Sequence, residues 1–159
     1  MSKKSYPITP AVRFLREHQI AYEAHLYDYE EHGGTARCAQ ELHVDEHCVI
    51  KTIILQDDKK QGLIMLMHGD KEISTRQLAR VIGARHIEPA SPAQANKWSG
   101  YLVGGTSPFA CKSALPVYVE SSILDLDTIY INGGKRGFLV AIAAKDLQVL
   151  QPQAVEAAA

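Results

Sequence analysis

The chain has 159 residues, of which 46% are hydrophobic and 22% are charged, and its formal net charge is −1 at pH 7. This composition is typical of one globular domain that buries a core unaided, and any RNA partner would have to bind a local patch rather than a basic chain. No stretch reaches the roughly 18 apolar residues of a membrane helix, and the start of the chain lacks the apolar run of a secretory signal.

Periodicity and cap residues predict the elements of the first half of the chain. Thr9 can cap a helix, and Pro10 fits its first position. Residues 20–29 alternate between the two faces of a strand. In chain order we expect a flexible segment over residues 1–8, a helix from Thr9-Pro10, a strand over 20–29, a short helix over 35–42 capped by Thr35, and a hairpin of strands over 49–56 and 63–68.

In the second half, two Ser-x-x-Gln patterns predict helix starts, and a glycine ends each of these helices. In chain order we expect a helix from Ser74 to Gly83, a helix from Ser91-Pro92 to Gly100, strands over 101–103, 115–120, 128–132 and 138–143, a helical segment over 145–150, and a frayed tail over 151–159. Strands and helices intersperse without the regular alternation of a wound parallel sheet. This order predicts a single α+β domain around a mixed or mostly antiparallel sheet.

Three segments next to predicted strands carry the strongest chemical signal: Val49-Ile50-Lys51-Thr52, the run from Gly100 to Pro108, and Ile131-Asn132-Gly133-Gly134-Lys135-Arg136-Gly137. Glycine lets backbone N–H groups approach a ligand closely and adopts conformations that other residues avoid. Together the segments predict a pocket that uses backbone donors and one buried lysine.

Lys51 is the sharpest single candidate, because it lies within an aliphatic strand and a lysine is rarely buried without a partner or a task. Periodicity alone favours the alternative that Lys51 points into water from a half-exposed strand. A fixed ammonium or backbone N–H group in a pocket would stabilise an oxyanion if one formed there. We therefore favour positioning and electrostatic roles for Lys51 over nucleophilic attack, which would require an amine that has lost its proton.

The three segments resemble those of the YbaK/EbsC family of aminoacyl-tRNA deacylases, which are relatives of the editing domain inserted in prolyl-tRNA synthetases. The resemblance runs from Thr9-Pro10-Ala11-Val12 to Ala144-Lys145-Asp146-Leu147. It implies the YbaK-like fold over residues 9–150, with a barrel-like, mostly antiparallel mixed sheet and surrounding helices. It also implies a trans-editing enzyme that cleaves the ester of mischarged tRNA, with Cys-tRNA(Pro) as the first candidate.

The resemblance also implies roles for individual residues. Lys51 matches the lysine most tied to activity in the family, and Gly104 and Pro108 match the ends of its G-x-x-x-P loop. The implied substrate-binding set is Tyr27, Thr52, Gly104, Gly105, Thr106, Ser107, Pro108, Asn132 and Gly133, and the implied tRNA-binding pair is Lys135 and Arg136.

Plainer interpretations of the same residues stay open. The loop over 104–108 could be a simple connection, Tyr27 could be a packing aromatic, and the segment over 132–137 could be a tight hairpin with its cations in solvent. The chain also departs from cysteine-specific relatives, which carry Ser in place of Asn132 and an acidic residue near Leu139. Their segment corresponding to residues 30–34 is longer and carries a pocket aromatic that has no clear match here.

In the cysteine-specific relatives the substrate's own thiol is thought to attack the ester, which makes the enzyme formally a lyase. A substrate without a thiol would need a bound water as the nucleophile. The partners implied are the aminoacylated 3′ end of tRNA and a prolyl-tRNA synthetase in a transient complex. The alternatives are a deacylase for Ala, Ser or Thr, a non-catalytic tRNA- or synthetase-binding module, and an enzyme acting on free esters.

Three cysteines, Cys38, Cys48 and Cys111, form no C-x-x-C pair, and their odd number argues against a disulfide framework. A reducing cytoplasm is therefore the expected compartment. No cysteine has a marked histidine partner, so we interpret all three as small buried hydrophobes rather than nucleophiles.

Two further groups have helical spacing. His43 and His47 could share a helix face, but the intervening Val44-Asp45 is typical of a turn, so we expect no metal and no other cofactor. Arg76 and Arg80 predict a solvated helix face or a weak phosphate-binding face. We expect no membrane and no DNA partner.

Overall fold

The computed structural model describes residues 5–159, which form one mixed sheet of eight strands with four α-helices around it. The elements are α1 (Pro10–Glu17), β1 (Glu23–Leu26), α2 (Gly34–Leu42), β2 (Val49–Asp57), β3 (Gly62–His68), α3 (Thr75–Ile82), β4 (Ile87–Pro89), α4 (Pro92–Ser99), β5 (Val117–Glu120), β6 (Thr128–Lys135), β7 (Phe138–Ala143) and β8 (Gln153–Val155). Short 3₁₀ helices occupy Glu46–Cys48, Ser121–Asp125 and Ala144–Leu150.

The strand order is β1-β7-β6-β2-β3-β5-β8, and β4 pairs with the end of β2. The pairs β1–β7, β6–β7, β2–β3 and β2–β4 are antiparallel, whereas β2–β6, β3–β5 and β5–β8 are parallel. The predicted α+β class and mixed, mostly antiparallel sheet are confirmed. The sheet is open rather than closed into a barrel, because no pairing within residues 5–159 joins β1 to β8.

Most of the predicted helix caps are confirmed. The hydroxyls of Thr9, Ser74 and Ser91 accept hydrogen bonds from backbone N–H groups three residues on, and Gly83 and Gly100 end their helices in the left-handed conformation. The cap predicted at Thr35 is wrong. α2 begins one residue earlier, without a side-chain cap, because the Thr35 hydroxyl donates to Glu46 Oε2 at 2.7 Å.

Two predictions about the backbone need correction. Residues 101–103 form a turn rather than a strand, because the Tyr101 ring is buried and its hydroxyl donates to the Phe109 carbonyl. The tail after Leu150 is not frayed, because β8 pairs with β5 and the buried Ala157 donates its N–H to Glu120 Oε1 at 2.6 Å. The flexible segment predicted over residues 1–8 falls partly on residues 1–4, which lie outside the described part, and it stays a prediction.

The core lies on both faces of the sheet. One cluster packs α1 against β6 and β7 through Leu15, Ile131 and Phe138, and a second packs α3 against β3 through Leu78 and Met65. A third, smaller cluster joins α2 to the sheet and contains Cys38, Ala39, Val49 and Leu139. Across residues 5–159, none of the helices has both the length and the apolar character needed to cross a membrane.

The middle of β2 is less covered than its ends. The strand pairs with β6 only at Val49 and Ile50, and with β4 only from Leu55 onwards, so β6 and β4 diverge along one edge of β2. Lys51, Thr52 and Ile53 are half-buried, although most of the neighbouring positions on this strand are buried. The open stretch of strand edge forms one side of a cavity.

Candidate functional site

A cavity of about 590 Å³ lies where β6 and β4 diverge from β2, and α2 covers one side of it. Its size falls within the range of small-molecule and cofactor pockets. Its walls come from four regions: the middle of β2, the segment from Tyr27 through α2, the start of α4 with the residues before it, and the two loops that hold Gly104 and Arg136. The cavity therefore gathers residues far apart in the chain at one break in the sheet.

Lys51 lines this cavity, but its side chain is neither fully buried nor free. It is 19% exposed, and its ammonium donates to the Lys71 carbonyl and lies 3.8 Å from Glu72 Oε1. A lysine ammonium has three N–H donors, so two remain outside the bond to Lys71. The backbone after β3 thus holds the cation in place at the cavity wall, which suits an electrostatic role.

Thr52 carries an unsatisfied polar atom at the cavity wall. Its Oγ1 is buried and has no hydrogen-bond partner within residues 5–159. A buried hydroxyl without a partner costs about 1–3 kcal/mol relative to one that is paired. Because this hydroxyl belongs to a residue that lines the cavity, a bound molecule in the cavity could satisfy it.

The predicted glycine-rich loop and the predicted hairpin form one continuous wall. Asn132 Nδ2 donates to the Gly104 carbonyl at 3.1 Å, and Arg136 Nε donates to the Val103 carbonyl at 2.8 Å. Asn132 Oδ1 in turn accepts hydrogen bonds from the N–H groups of Gly134 and Lys135. Asn132 therefore fixes the turn of its own strand and ties it to the loop opposite.

Close backbone contact at this wall requires glycine. A Cβ at Gly105 would lie 2.7 Å from the backbone nitrogen of Arg136 and 2.9 Å from the carbonyl carbon of Lys135. A Cβ at Gly104, whose φ is +91°, would lie 2.8 Å from the hydroxyl of Tyr29. Gly105 thus lets two backbone segments meet, and Gly104 leaves room for the side chain of Tyr29.

The structure divides the predicted site residues into two groups. The residues that line the cavity are Tyr27, Lys51, Thr52, Gly104, Thr106, Asn132 and Arg136. The residues outside the lining are Gly105, Ser107, Pro108 and Gly133, which are buried, and Lys135, which is exposed. Ser107 supports the loop from within, since its hydroxyl accepts a hydrogen bond from the Phe109 N–H at 3.1 Å.

Sequence reasoning missed several lining residues. Arg37 and Cys38 reach the cavity from α2, Pro89 and Ala90 from the end of β4, and Tyr29 from the chain after β1. The Arg136 guanidinium lies 5.2 Å from the centre of the Tyr29 ring, within the range of a cation–π contact. One feature of the sequence could have identified two of these residues. The predicted helix over 35–42 contains Arg37 and Cys38 and follows closely on the predicted strand that contains Tyr27.

Tyr27 and Cys38 pack against each other in the wall. Burial, and then a hydrogen bond with Cys38, raise the pKa of the Tyr27 phenol, and burial raises the pKa of the Cys38 thiol. Burial also raises the pKa of Cys48, and it raises that of Cys111 to about 11. The thiolate is the reactive form of cysteine, so these thiols are poor nucleophiles at neutral pH.

We expect alkylation to report this protonation directly. At pH 7, iodoacetamide should modify the three cysteines much more slowly than a free peptide thiol, and any activity of the protein should survive the treatment. Because Cys111 has a raised pKa, its modification should become faster as the pH rises towards about 11. The check is the modified fraction at each pH by mass spectrometry of digested protein. Rapid loss of activity at pH 7 that follows Cys38 modification would contradict this account.

A second polar cluster, His47, His68 and Asp70, lies outside the cavity lining. Across residues 5–159, it is the one group of three histidine, cysteine or carboxylate residues whose ligand atoms lie close enough together to hold a metal ion. His68 is buried; its Nδ1 donates to the His47 carbonyl, and its Nε2 accepts from the Ser122 hydroxyl, both at 2.7 Å. The two rings stack with centroids 3.7 Å apart and planes 7° apart, so a single metal ion could not lie in the plane of both. The cluster is better explained as a structural hydrogen-bond network.

The chain resembles known proteins over most of its length. A sequence model of the family described as the aminoacyl-tRNA editing domain matches residues 30–150. EbsC from Enterococcus faecalis, proposed to be a Cys-tRNA(Pro)/Cys-tRNA(Cys) deacylase, is 25% identical over 142 residues, which cover 89% of this chain and 87% of EbsC. A proline–tRNA ligase from Brachyspira hyodysenteriae is 27% identical over 86 residues, which are 54% of this chain and only 15% of the ligase.

A solved structure also shares the fold. It is that of a proposed trans-editing enzyme for prolyl-tRNA synthetase, and it superposes with a TM-score of 0.81 at 18% identity. The superposition covers 96% of this chain and 99% of that chain. At this level of identity the likeness shows the fold alone.

Proposed function

The chain belongs to the aminoacyl-tRNA editing domain family, and from that premise we propose that it is a trans-editing deacylase that cleaves the ester of mischarged tRNA, with Cys-tRNA(Pro) as its substrate. The single observation that carries the proposal is the cavity at the open edge of β2, whose lining includes both Lys51, with its ammonium held by the Lys71 carbonyl, and Thr52, with its buried hydroxyl unpaired within residues 5–159. The match to EbsC over 89% of the chain supports the choice of substrate.

In this proposal the cavity receives the aminoacyl group and the terminal adenosine of the tRNA. The open edge of β2 offers backbone groups to polar atoms of the substrate, and Leu139, Val49 and Ile53 offer apolar surface. Arg136 stands at the opposite wall, and the exposed Lys135 precedes it, so both can meet the phosphates that follow the adenosine.

The chemistry follows from where charge develops. Attack on the ester carbonyl turns its oxygen into an oxyanion, and donors already in place stabilise that charge without reorganising. We assign this task to the Lys51 ammonium, whose position the Lys71 carbonyl fixes. Thr52 would hold the substrate by donating or accepting a hydrogen bond with its free hydroxyl.

The nucleophile comes from outside the protein in this account, because the thiol that lines the cavity, Cys38, has a raised pKa. With a cysteinyl substrate, its own sulfur attacks the ester carbonyl, the bond from that carbon to the ribose oxygen breaks, and the thiol proton ends on the ribose oxygen. The products are a cyclic thioester and free tRNA. With a substrate that lacks a thiol, water attacks in the same way and the amino acid is released.

We extend the proposal to a transient complex with prolyl-tRNA synthetase. The support is the proline–tRNA ligase that shares a related segment with this chain. A free-standing editing protein acts on a mischarged tRNA only after a synthetase has released it. A transient complex with the synthetase would therefore shorten the time between release of the tRNA and its binding in the cavity. The complex would be tested by measuring whether added synthetase increases the rate of deacylation at low tRNA concentration.

The proposed function is tested with a panel of charged tRNAs: Cys-, Ala-, Ser- and Thr-tRNA(Pro), with Cys-tRNA(Cys) as a comparison. We expect wild type to release cysteine from Cys-tRNA(Pro) well above the uncatalysed rate. Release of Ala, Ser or Thr instead would name another small amino acid. Cleavage of simple aminoacyl esters at the same rate as tRNA would favour an enzyme of free esters. No release from any substrate by folded protein would favour a non-catalytic binding module.

The Thr52 hydroxyl gives a prediction in which stability and activity move apart. Thr52→Val keeps the shape of the side chain and removes an unpaired buried hydroxyl, so the free energy of unfolding should stay equal or rise. If the hydroxyl contacts substrate, kcat/KM should fall by about 2- to 12-fold, the equivalent of one net hydrogen bond of 0.5–1.5 kcal/mol. Urea unfolding and deacylation kinetics of the same preparation check both parts. Unchanged kinetics would remove Thr52 from the site.

A further inference from the structure

A second concave surface adjoins the start of β4, at the opposite end of that strand from the cavity. It is formed by the first two turns of α3 and by the loop that leads into β4, and it encloses about 410 Å³. We call it the arginine groove, and its lining residues are Thr75, Arg76, Ala79, Arg80, Ala84, Arg85, His86 and Ile87. Three of these eight residues are arginines, and no acidic residue lines the groove.

The three arginines are available to a ligand. Arg76, Arg80 and Arg85 are exposed, and none of them has a carboxylate oxygen within 4 Å among residues 5–159. Arg76 and Arg80 lie one helical turn apart, a like-charge arrangement that costs α3 a few tenths of a kcal/mol. The helix thus carries a small electrostatic cost that a bound anion would relieve.

Two acidic residues that contact the loop leading into β4 already have other partners. The Asp58 carboxylate accepts hydrogen bonds from the backbone N–H groups of Arg85 and His86, at 3.0 and 3.4 Å, and thereby fixes the loop rather than the guanidinium of Arg85. Glu88 accepts from Gln56 at 2.8 Å and from Lys60 and His86 at 3.4 Å. The guanidinium groups of the arginine groove therefore remain uncompensated.

The groove and the cavity share one strand. Ile87 lines the groove, whereas Pro89 and Ala90, at the other end of β4, line the cavity. An extended strand rises about 3.3 Å per residue, so the two surfaces are separated by roughly 7–10 Å along β4. A polyanion whose end occupies the cavity could reach the groove with its next few phosphates.

We propose that the arginine groove binds the phosphodiester backbone of the tRNA acceptor end while the aminoacylated terminus lies in the cavity. The inference rests on the proposed function for its ligand. Arginine suits this task, since its planar guanidinium donates to two phosphate oxygens at once and stays charged at any physiological pH. The groove supplies the local basic patch that a chain of net charge −1 needs to hold RNA.

The test compares wild type with the triple variant Arg76→Gln, Arg80→Gln, Arg85→Gln. Filter binding of uncharged tRNA(Pro) at several salt concentrations gives Kd and its salt dependence without requiring catalysis. Each lost phosphate contact should reduce the slope of log Kd against log salt by about one, so we expect a slope smaller by about two to three. The tRNA affinity should fall accordingly, most of all at low salt.

A matched control removes three other exposed positive charges, through Arg13→Gln, Lys97→Gln and Lys145→Gln. It changes the net charge equally, so it should leave the salt slope close to that of wild type. Cysteinyl-adenosine, which lacks phosphates, should be cleaved at equal rates by wild type and by the groove variant. Equal Kd and slope for the groove variant and wild type would overturn the inference. If wild type itself does not deacylate charged tRNA, the proposed function, and not only the role of the groove, would be overturned.

Discussion

Lys51→Ala is expected to lower kcat for deacylation by about 10²- to 10³-fold, the usual effect of removing one donor that stabilises an oxyanion. The substitution removes the ammonium at the cavity wall and leaves the rest of β2 in place. It also breaks the bond to the Lys71 carbonyl and a distant pair with Glu72 at 3.8 Å. Such partly exposed ion pairs contribute little to stability, so the melting temperature should change by only a few degrees.

Lys60→Ala is the matched control for this prediction. Lys60 also pairs with a single glutamate, Glu88, at 3.4 Å, but it is exposed on the loop at the far end of the β2–β3 hairpin. This variant should keep kcat within about threefold of wild type, since its cation does not line the cavity. Single-turnover deacylation of Cys-tRNA(Pro) measures both variants. A folded Lys51→Ala protein with nearly wild-type kcat would remove Lys51 from the chemistry.

Gly105→Ala is expected to damage both stability and activity. The added methyl would lie 2.7 Å from the Arg136 backbone nitrogen, so two backbone segments must separate, and overpacking of this kind costs about 1–3 kcal/mol. Gly104 and Thr106, on either side, line the cavity and would move with the wall. A displacement of about 1 Å can cost 10²-fold in rate, so kcat/KM should fall by about 10- to 100-fold.

Gly62→Ala separates the two effects. A methyl there would lie 2.8 Å from the Trp98 ring and 2.9 Å from Leu115, so this variant should also be destabilised. Gly62 lies at the end of the β2–β3 hairpin and outside the cavity lining, so its kcat/KM at a temperature where the protein is folded should stay near wild type. Equal losses of activity in both variants would show that stability, and not the cavity wall, limits the rate.

The features that the sequence predicted well are local ones. The caps at Thr9, Ser74 and Ser91 depend on a hydroxyl and a backbone N–H three residues apart, which a short window of sequence contains. The cap predicted at Thr35 was wrong because that hydroxyl found a partner 11 residues away, and local pattern cannot reveal such a competitor. The strands β4 and β8, with three residues each, were too short to give a periodic signal.

The candidate site was predictable in part for the same reason. The motifs around Lys51, Gly104 and Asn132 identified two walls of the cavity, the middle of β2 and the wall that the other two motifs share, and the structure brings members of all three motifs together. The sequence did not predict that Gly105 and Gly133 would support the wall from behind, because their role depends on which backbone passes next to them. It also did not predict that β6 and β4 diverge along β2, although this divergence is what creates the cavity.

The central claim is that the cavity at Lys51 cleaves the ester of mischarged tRNA. The most direct test is the time course of cysteine release from Cys-tRNA(Pro), with wild-type protein in excess over tRNA and a parallel reaction without protein. The account predicts release much faster than the uncatalysed reaction, at a rate that saturates as the protein concentration rises. An identical time course with and without folded protein would contradict it.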